Sequence, residues 1–359
     1  MPRVEDTKPA ETQSAQDATA IGSGQAAPKP VKRFGLKVLI GLTITGGLIL
    51  FLFRYVDWHH VVALSHDANW WLLAAVIPIY EILYVFRAQR FVLLAPRTPF
   101  SVMLCIGAIH NFMLRILPMR TGELSYAFLV RRAGTSGIGE SLLGLFLLRV
   151  LDATAVVIIF ATTLALNQAA YQGDTKLGLL VALGVALLGA LTALFFRQLL
   201  TLGFTIFAGT LRIVRLTRNR KVAAMVDHLG ELIRSYAKLT LRTILAQAAL
   251  TLIVWMINFV IVFLIMRAFA IPVTFPQAVL GGTGATVTGF LPIGGIGSFG
   301  ALEAGWALGF ALVGLSPSLA VASGFAFSFV TFASAALLAL LSWIVFRRLV
   351  ARQELSHGA

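Results

Sequence analysis

Six stretches of this sequence are apolar for long enough to cross a lipid bilayer, and they constrain the fold more than any motif does. They lie at 36–53, 70–86, 141–166, 177–196, 244–269 and 319–346. A hydrocarbon layer about 30 Å thick takes roughly 20 residues of helix, and within it a chain must satisfy its backbone N–H and C=O groups internally. Across 359 residues, 58% are hydrophobic and only 12% charged, with mean hydropathy +0.87, far from the composition of a soluble domain. The fold class is therefore an all-α polytopic membrane protein.

Two further apolar segments are interrupted. The first, 101–117, stops at Pro118 and resumes as MRTGELSYAFLV; the second, 278–291, stops at Pro292 and resumes through PIGGIGSFGALEAGW to Val313. Each reads as a half-helix, a break and a returning half-helix. Gly122 lies just after the first break, while Gly294, Gly295 and Gly297 build the second. Broken backbone at membrane depth is tolerated only where it is buried in protein or lines a watery cavity, so these breaks predict a cavity.

The formal net charge of +14 fits topology rather than nucleic acid, because Lys and Arg sit between particular apolar runs. With the N-terminal tail inside, Arg87, Arg90, Arg97, Arg131 and Arg132 face the cytoplasm only if the first interrupted segment re-enters. The basic stretch 197–242 and the terminal Arg347, Arg348 and Arg352 then also lie inside, and the Lys/Arg-poor stretches 57–69 and 167–174 outside. The expected architecture is six full spans plus two re-entrant hairpins in an inverted-topology repeat, an arrangement common among secondary transporters. Its divisions are a disordered cytoplasmic tail at 1–35, a membrane domain at 36–347 and a short cytoplasmic tail at 348–359. The first repeat occupies about 36–170 and the second about 176–347, with an amphipathic or solvated cytoplasmic loop at about 197–242.

Charges inside such a chain are costly and mark pathways or pairs. Arg149 and Asp152 stand three apart in one span, so they share a helical face and are expected to pair. Arg115 and Arg120 bracket Pro118, with Glu123 just beyond; guanidinium groups at a half-helix end suit a phosphate. Ser298 and Glu303 follow the glycine break of the second hairpin. Glu81, Asp152 and Glu303 are the carboxylates available for ion coupling. His110 reads as a hydrogen-bonded core histidine, Asn258 as interhelical glue, Arg87 and Arg90 as cytoplasmic anchors, and the tryptophans as anchors or packing residues. The lone cysteine, Cys105, reads as a small core residue. No metal cluster, nucleotide loop or nucleophile triad stands in a supporting context, so no cofactor and no metal is expected.

The segments LPMRTGELSYAFLVRRAG, LLRVLDATAVV, PVTFPQAVLGG and GFLPIGGIGSFGALEAGW, in that order, resemble the lysylphosphatidylglycerol synthase transmembrane-domain family. The likeness extends over nearly all of the chain after the tail. It implies a flippase-like lipid-translocating domain that in bifunctional members is joined to a soluble aminoacyltransferase. This sequence stops shortly after its last apolar run, so the transferase and its synthase activity are expected to be absent. Two positions depart from the pattern: Leu148 precedes Arg149 where members often carry an acidic residue, and Gly300 stands where some carry Glu.

Together these readings point to a translocator of an anionic or lipid-linked headgroup, working through a cavity between the hairpins. The expected setting is a bacterial-type inner membrane, with both termini cytoplasmic and membrane lipids as partners. A non-catalytic partner of a lipid or glycan biosynthetic enzyme is the alternative. An intramembrane lipid-modifying enzyme is a third reading, for which no catalytic residues stand out. Nucleic acid is not expected as a partner, and nothing in the sequence speaks to oligomeric state.

Overall fold

The computed structural model describes residues 66, 68–117, 121–213, 222–224, 226, 227, 230, 231, 233, 240–290 and 301–357. The structural expectations placed on the first tail, on the run at 36–53, and on Pro118, Arg120, Pro292, Gly294, Gly295, Gly297 and Ser298 lie outside these residues.

The described chain is helical throughout, with ten α-helices: α1 (Trp70–Leu94), α2 (Phe100–Ile116), α3 (Glu123–Arg132), α4 (Ile138–Leu166), α5 (Thr175–Leu194), α6 (Phe196–Ile213), α7 (Leu241–Ala268), α8 (Phe275–Phe290), α9 (Ala301–Ala311) and α10 (Pro317–His357). Local chemistry sets several starts. Asn69 accepts from the N–H groups of Trp71 and Leu72 at 3.1 and 3.2 Å, and Asp174 and Thr240 cap α5 and α7 in the same way. Helices α1, α4, α7 and the segment Pro317–Ala351 of α10 are long and apolar enough to cross a membrane. The chain is a multi-pass membrane protein.

The two interrupted segments form helix pairs built from shorter pieces. In the first, α2 has 17 residues and α3 has 10, or about 25 and 15 Å of helix. In the second, α8 has 16 and α9 has 11. At the first junction Gly122 is sterically required: a Cβ there would stand 2.5 Å from the Met113 carbonyl oxygen and 2.7 Å from Leu114 Cα. The second pair packs backbone to backbone, with Gly281 and Gly284 of α8 against Gly305 and Gly309 of α9. Trp306 then stacks on Phe327 of α10 at 4.4 Å and meets Phe310 at 4.6 Å.

The neighbour pattern is nearly unchanged when α1–α4 are exchanged for α7–α10. Contacts α1–α2, α2–α3 and α3–α4 match α7–α8, α8–α9 and α9–α10; α2–α10 matches α8–α4, α4–α7 matches α10–α1, and α1 packs on α7. Of the packed pairs within these two sets, only α7–α10 has no counterpart of similar extent. Two quartets of helices therefore repeat one packing scheme.

Helix ends differ from the apolar runs. Helix α1 continues to Leu94, two turns past residue 86, and α10 continues to His357, so 348–357 is helical. A charged residue ends an apolar run in the sequence, but helix needs only its backbone bonds and long side chains that reach a partner or the interface. Within 197–242, α6 is amphipathic, with Leu202, Ile206, Phe207 and Ile213 exposed along it.

Candidate functional site

A cavity of about 290 Å³ lies among the helices. It is lined by Arg87, Arg90 and Phe91 of α1; Gly107, His110, Asn111, Leu114 and Arg115 of α2; Leu117 beyond it; and Glu123 of α3. Leu145, Leu148, Arg149 and Asp152 of α4 face it, as do Val254, Trp255, Asn258 and Val262 of α7. Helix α8 adds Gly282, Ala285, Thr286, Thr288 and Gly289, α9 adds Leu302 and Trp306, and α10 adds Phe327. Helical spacing explains the grouping: Arg87 with Arg90, Asn111 with Arg115, and Arg149 with Asp152 are three or four apart and share faces. Among the described residues, four guanidinium groups thus meet two carboxylates in one cavity between the helices.

Asp152 pairs with Arg90, not with Arg149. Arg90 Nη1 stands 2.8 Å from Asp152 Oδ1, with side chains only 5% and 11% exposed. Trp255 Nε1 donates to the same oxygen at 3.0 Å, and Gln247 Nε2 donates to the Arg90 carbonyl at 2.6 Å. The network ties α1, α4 and α7 together. The expected Arg149–Asp152 pair gives way because Arg90, arriving from α1, would otherwise be a buried unpaired cation, which costs far more than one same-helix pair returns. Arg90 is accordingly no cytoplasmic anchor. Arg87 is not one either: the extension of α1 carries it to the cavity wall.

Arg149 instead meets Glu123, with Nε 3.3 Å from Oε1. That Nε is shielded from solvent yet makes no hydrogen bond, so the contact is electrostatic rather than aligned. Arg115 donates to Thr331 Oγ1 at 3.1 Å and to the Tyr80 hydroxyl at 3.3 Å. Arg87 donates to Asn111 Oδ1 at 3.2 Å and lies 5.4 Å from the centre of the Tyr84 ring. Among the described residues neither Arg87 nor Arg115 meets a carboxylate. Asn111 Nδ2, also at the cavity, is a buried donor without a partner.

His110 is the hydrogen-bonded core histidine expected of it: its Nδ1 lies 3.0 Å from Ser125 Oγ, which donates to the Gly122 carbonyl at 2.6 Å. Glu303 is 2% exposed and accepts from Ser328 Oγ at 2.5 Å. Its neighbours Leu302 and Trp306 face the cavity, while Glu303 is not among the lining residues. Glu81 is placed elsewhere. It is exposed on α1, beside a small crevice formed with Ser334, Leu337, Leu338 and Leu341 of α10. Tyr80, one residue earlier and so about 100° around the helix, turns toward Arg115. Asn258 lines the cavity, and Trp306 is fully buried in the core.

The residues that sequence reasoning missed are Tyr80, Gln247, Ser328 and Thr331, which hold the charged groups, with Thr286 and Thr288 on the wall. Their one signal is a lone polar side chain inside an apolar run, which by itself does not distinguish a cavity from helix packing. Among the described residues no group of three or more His, Cys, Asp or Glu is placed to hold a metal.

No curated protein and no solved structure matches this chain. A family model described as the lysylphosphatidylglycerol synthase TM region matches residues 38–339. That match spans every cavity-lining residue and both helix pairs, and by it the chain belongs to the lysylphosphatidylglycerol synthase TM-region family of membrane proteins.

Proposed function

We propose that this protein is a lipid translocator whose cavity takes the phosphate-bearing headgroup of an anionic lipid while the acyl chains stay in the bilayer. The observation that carries the reading is the excess, among the described residues, of guanidinium over carboxylate around one cavity between helices of a membrane protein. A cation at membrane depth is expensive and is retained where it serves a pathway. Arg87 and Arg115 are held in place by neutral partners, which orient them without neutralising them. Arginine presents a planar fork that matches phosphate oxygens, and Asn111 Nδ2 adds an unused donor. At about 290 Å³ the space sits near the lower end of the roughly 300–1,000 Å³ usual for ligand pockets, enough for a headgroup and too small for the lipid tails.

In this reading the chain performs no chemistry on the lipid. It sits in the cytoplasmic membrane with both termini inside. Asp152 is committed to Arg90 and Trp255, which leaves Glu303, buried beside the cavity wall, as the carboxylate suited to ion coupling.

The test uses proteoliposomes carrying fluorescent phosphatidylglycerol, with dithionite quenching the outer leaflet. Wild type should speed movement between leaflets, and Arg115→Gln, verified as folded, should slow it by about tenfold, the equivalent of one charge-assisted contact of about 1.4 kcal/mol. If folded wild type moves neither phosphatidylglycerol nor phosphatidic acid, or if Arg115→Gln keeps the full rate, the translocator reading is wrong.

A further inference from the structure

Two ion pairs among the described residues border the cavity and are built differently. Arg90–Asp152 is short, nearly dry and braced by Trp255, whereas Arg149–Glu123 is longer, unaligned at Nε and more open, with side chains 29% and 28% exposed. We infer that Glu123 is an internal competitor for the lipid phosphate: it neutralises Arg149 when the cavity is empty and yields that guanidinium when a headgroup arrives. The inference rests on the phosphate reading above and adds which contact the ligand must break.

The energetics favour exchange at this pair alone. A partly exposed pair with poor geometry contributes little, about 0–1 kcal/mol, so a phosphate offering two oxygens to the guanidinium can replace it. The displaced carboxylate is not stranded, because Glu123 occupies the first turn of α3, where the helix dipole favours an anion. Asp152 has no such freedom, since releasing it would leave Arg90 buried and unpaired. A built-in competitor also keeps the headgroup from binding too tightly. A conducting site needs that balance, because what enters must leave.

The test is calorimetric titration of the full chain in nanodiscs with dioctanoyl phosphatidic acid, with inorganic phosphate in parallel. Glu123→Gln removes the competitor and should tighten lipid binding by about twofold to fivefold. Placed on an Arg149→Gln background, the same substitution should no longer tighten it, because its effect runs through Arg149. If Glu123→Gln lowers the unfolding midpoint sharply, Glu123→Asp, whose shorter side chain draws the carboxylate back, should tighten binding by a smaller factor. Unchanged or weaker binding in the folded variant, or equal tightening without Arg149, overturns the inference. Inorganic phosphate binding as tightly as the lipid overturns the assignment of a lipid headgroup as the exchanging anion. Absence of any binding by folded wild type defeats the phosphate reading itself, a result distinct from wild-type binding that Glu123→Gln leaves unmoved.

Discussion

Replacing Asp152 by Leu should be among the most damaging single changes this protein can suffer, and the structure says why. Asp152 Oδ1 receives both Arg90 Nη1 at 2.8 Å and Trp255 Nε1 at 3.0 Å. Its removal leaves Arg90, whose side chain is 5% exposed, without a counterion, and breaking a buried pair from one side costs about 3–5 kcal/mol. Arg90→Met strands Asp152 in the same way. The double variant Arg90→Met/Asp152→Leu removes both charges, and the Gln247 bond survives because it goes to the Arg90 backbone carbonyl. Its loss should stay within about 2 kcal/mol, since well-packed apolar residues often replace a buried pair at little cost. A chain unfolded within a membrane also finds partners for its polar groups, so each single loss is set at the low end of that range, about 3 kcal/mol, and the coupling at about 4 kcal/mol. Equilibrium unfolding by SDS titration in mixed micelles, followed by tryptophan fluorescence, measures the cycle. Single losses that add to within about 0.5 kcal/mol would refute the network as drawn. The parallel cycle of Arg149 with Asp152 should be additive to that precision, because Asp152 is already engaged elsewhere.

The glycine contact between α8 and α9 predicts that Gly284→Ala destabilises the protein by about 1–3 kcal/mol in the same titration, since a Cβ there would stand 2.9 Å from Gly309 Cα; no change would mean that the helices part freely. For topology, Ser136→Cys and Gln168→Cys flank the 29-residue α4 and should be labelled from opposite sides of the membrane in intact cells, Gln168 from outside. Cys105 is buried and should give little background. Labelling of position 136 from outside would reject the re-entrant first hairpin.

Apolar length alone located the membrane helices, because hydrocarbon leaves a backbone few options but to hydrogen-bond within itself. The runs at 70–86, 141–166 and 244–269 each became one long helix, and the two interrupted runs became pairs of shorter ones. Helix ends were less legible. Arg87 and Arg90 look like a terminus in the sequence, yet they lie inside α1, because interior neighbours accept their charges. Some charged members of the site were also readable: Arg115, Glu123, Arg149 and Asp152 stand out as costly residues in apolar surroundings, and all four reach the cavity, whereas Arg87 and Arg90 read as anchors.

What the linear order did not carry was which charge meets which. Helical spacing makes Arg149 and Asp152 neighbours on α4, but a pair forms where two side chains converge after the helices pack. Arg90 from α1 and Glu123 from α3 arrive at those positions from distant parts of the chain. The same holds for Glu303 and Glu81, equally conspicuous as intramembrane carboxylates. One is sealed against Ser328 and the other is turned out beside a crevice with α10. Composition and periodicity are properties of single segments and survive in the sequence; the partner of a buried charge is set by contact between segments, so only the packed bundle decides it.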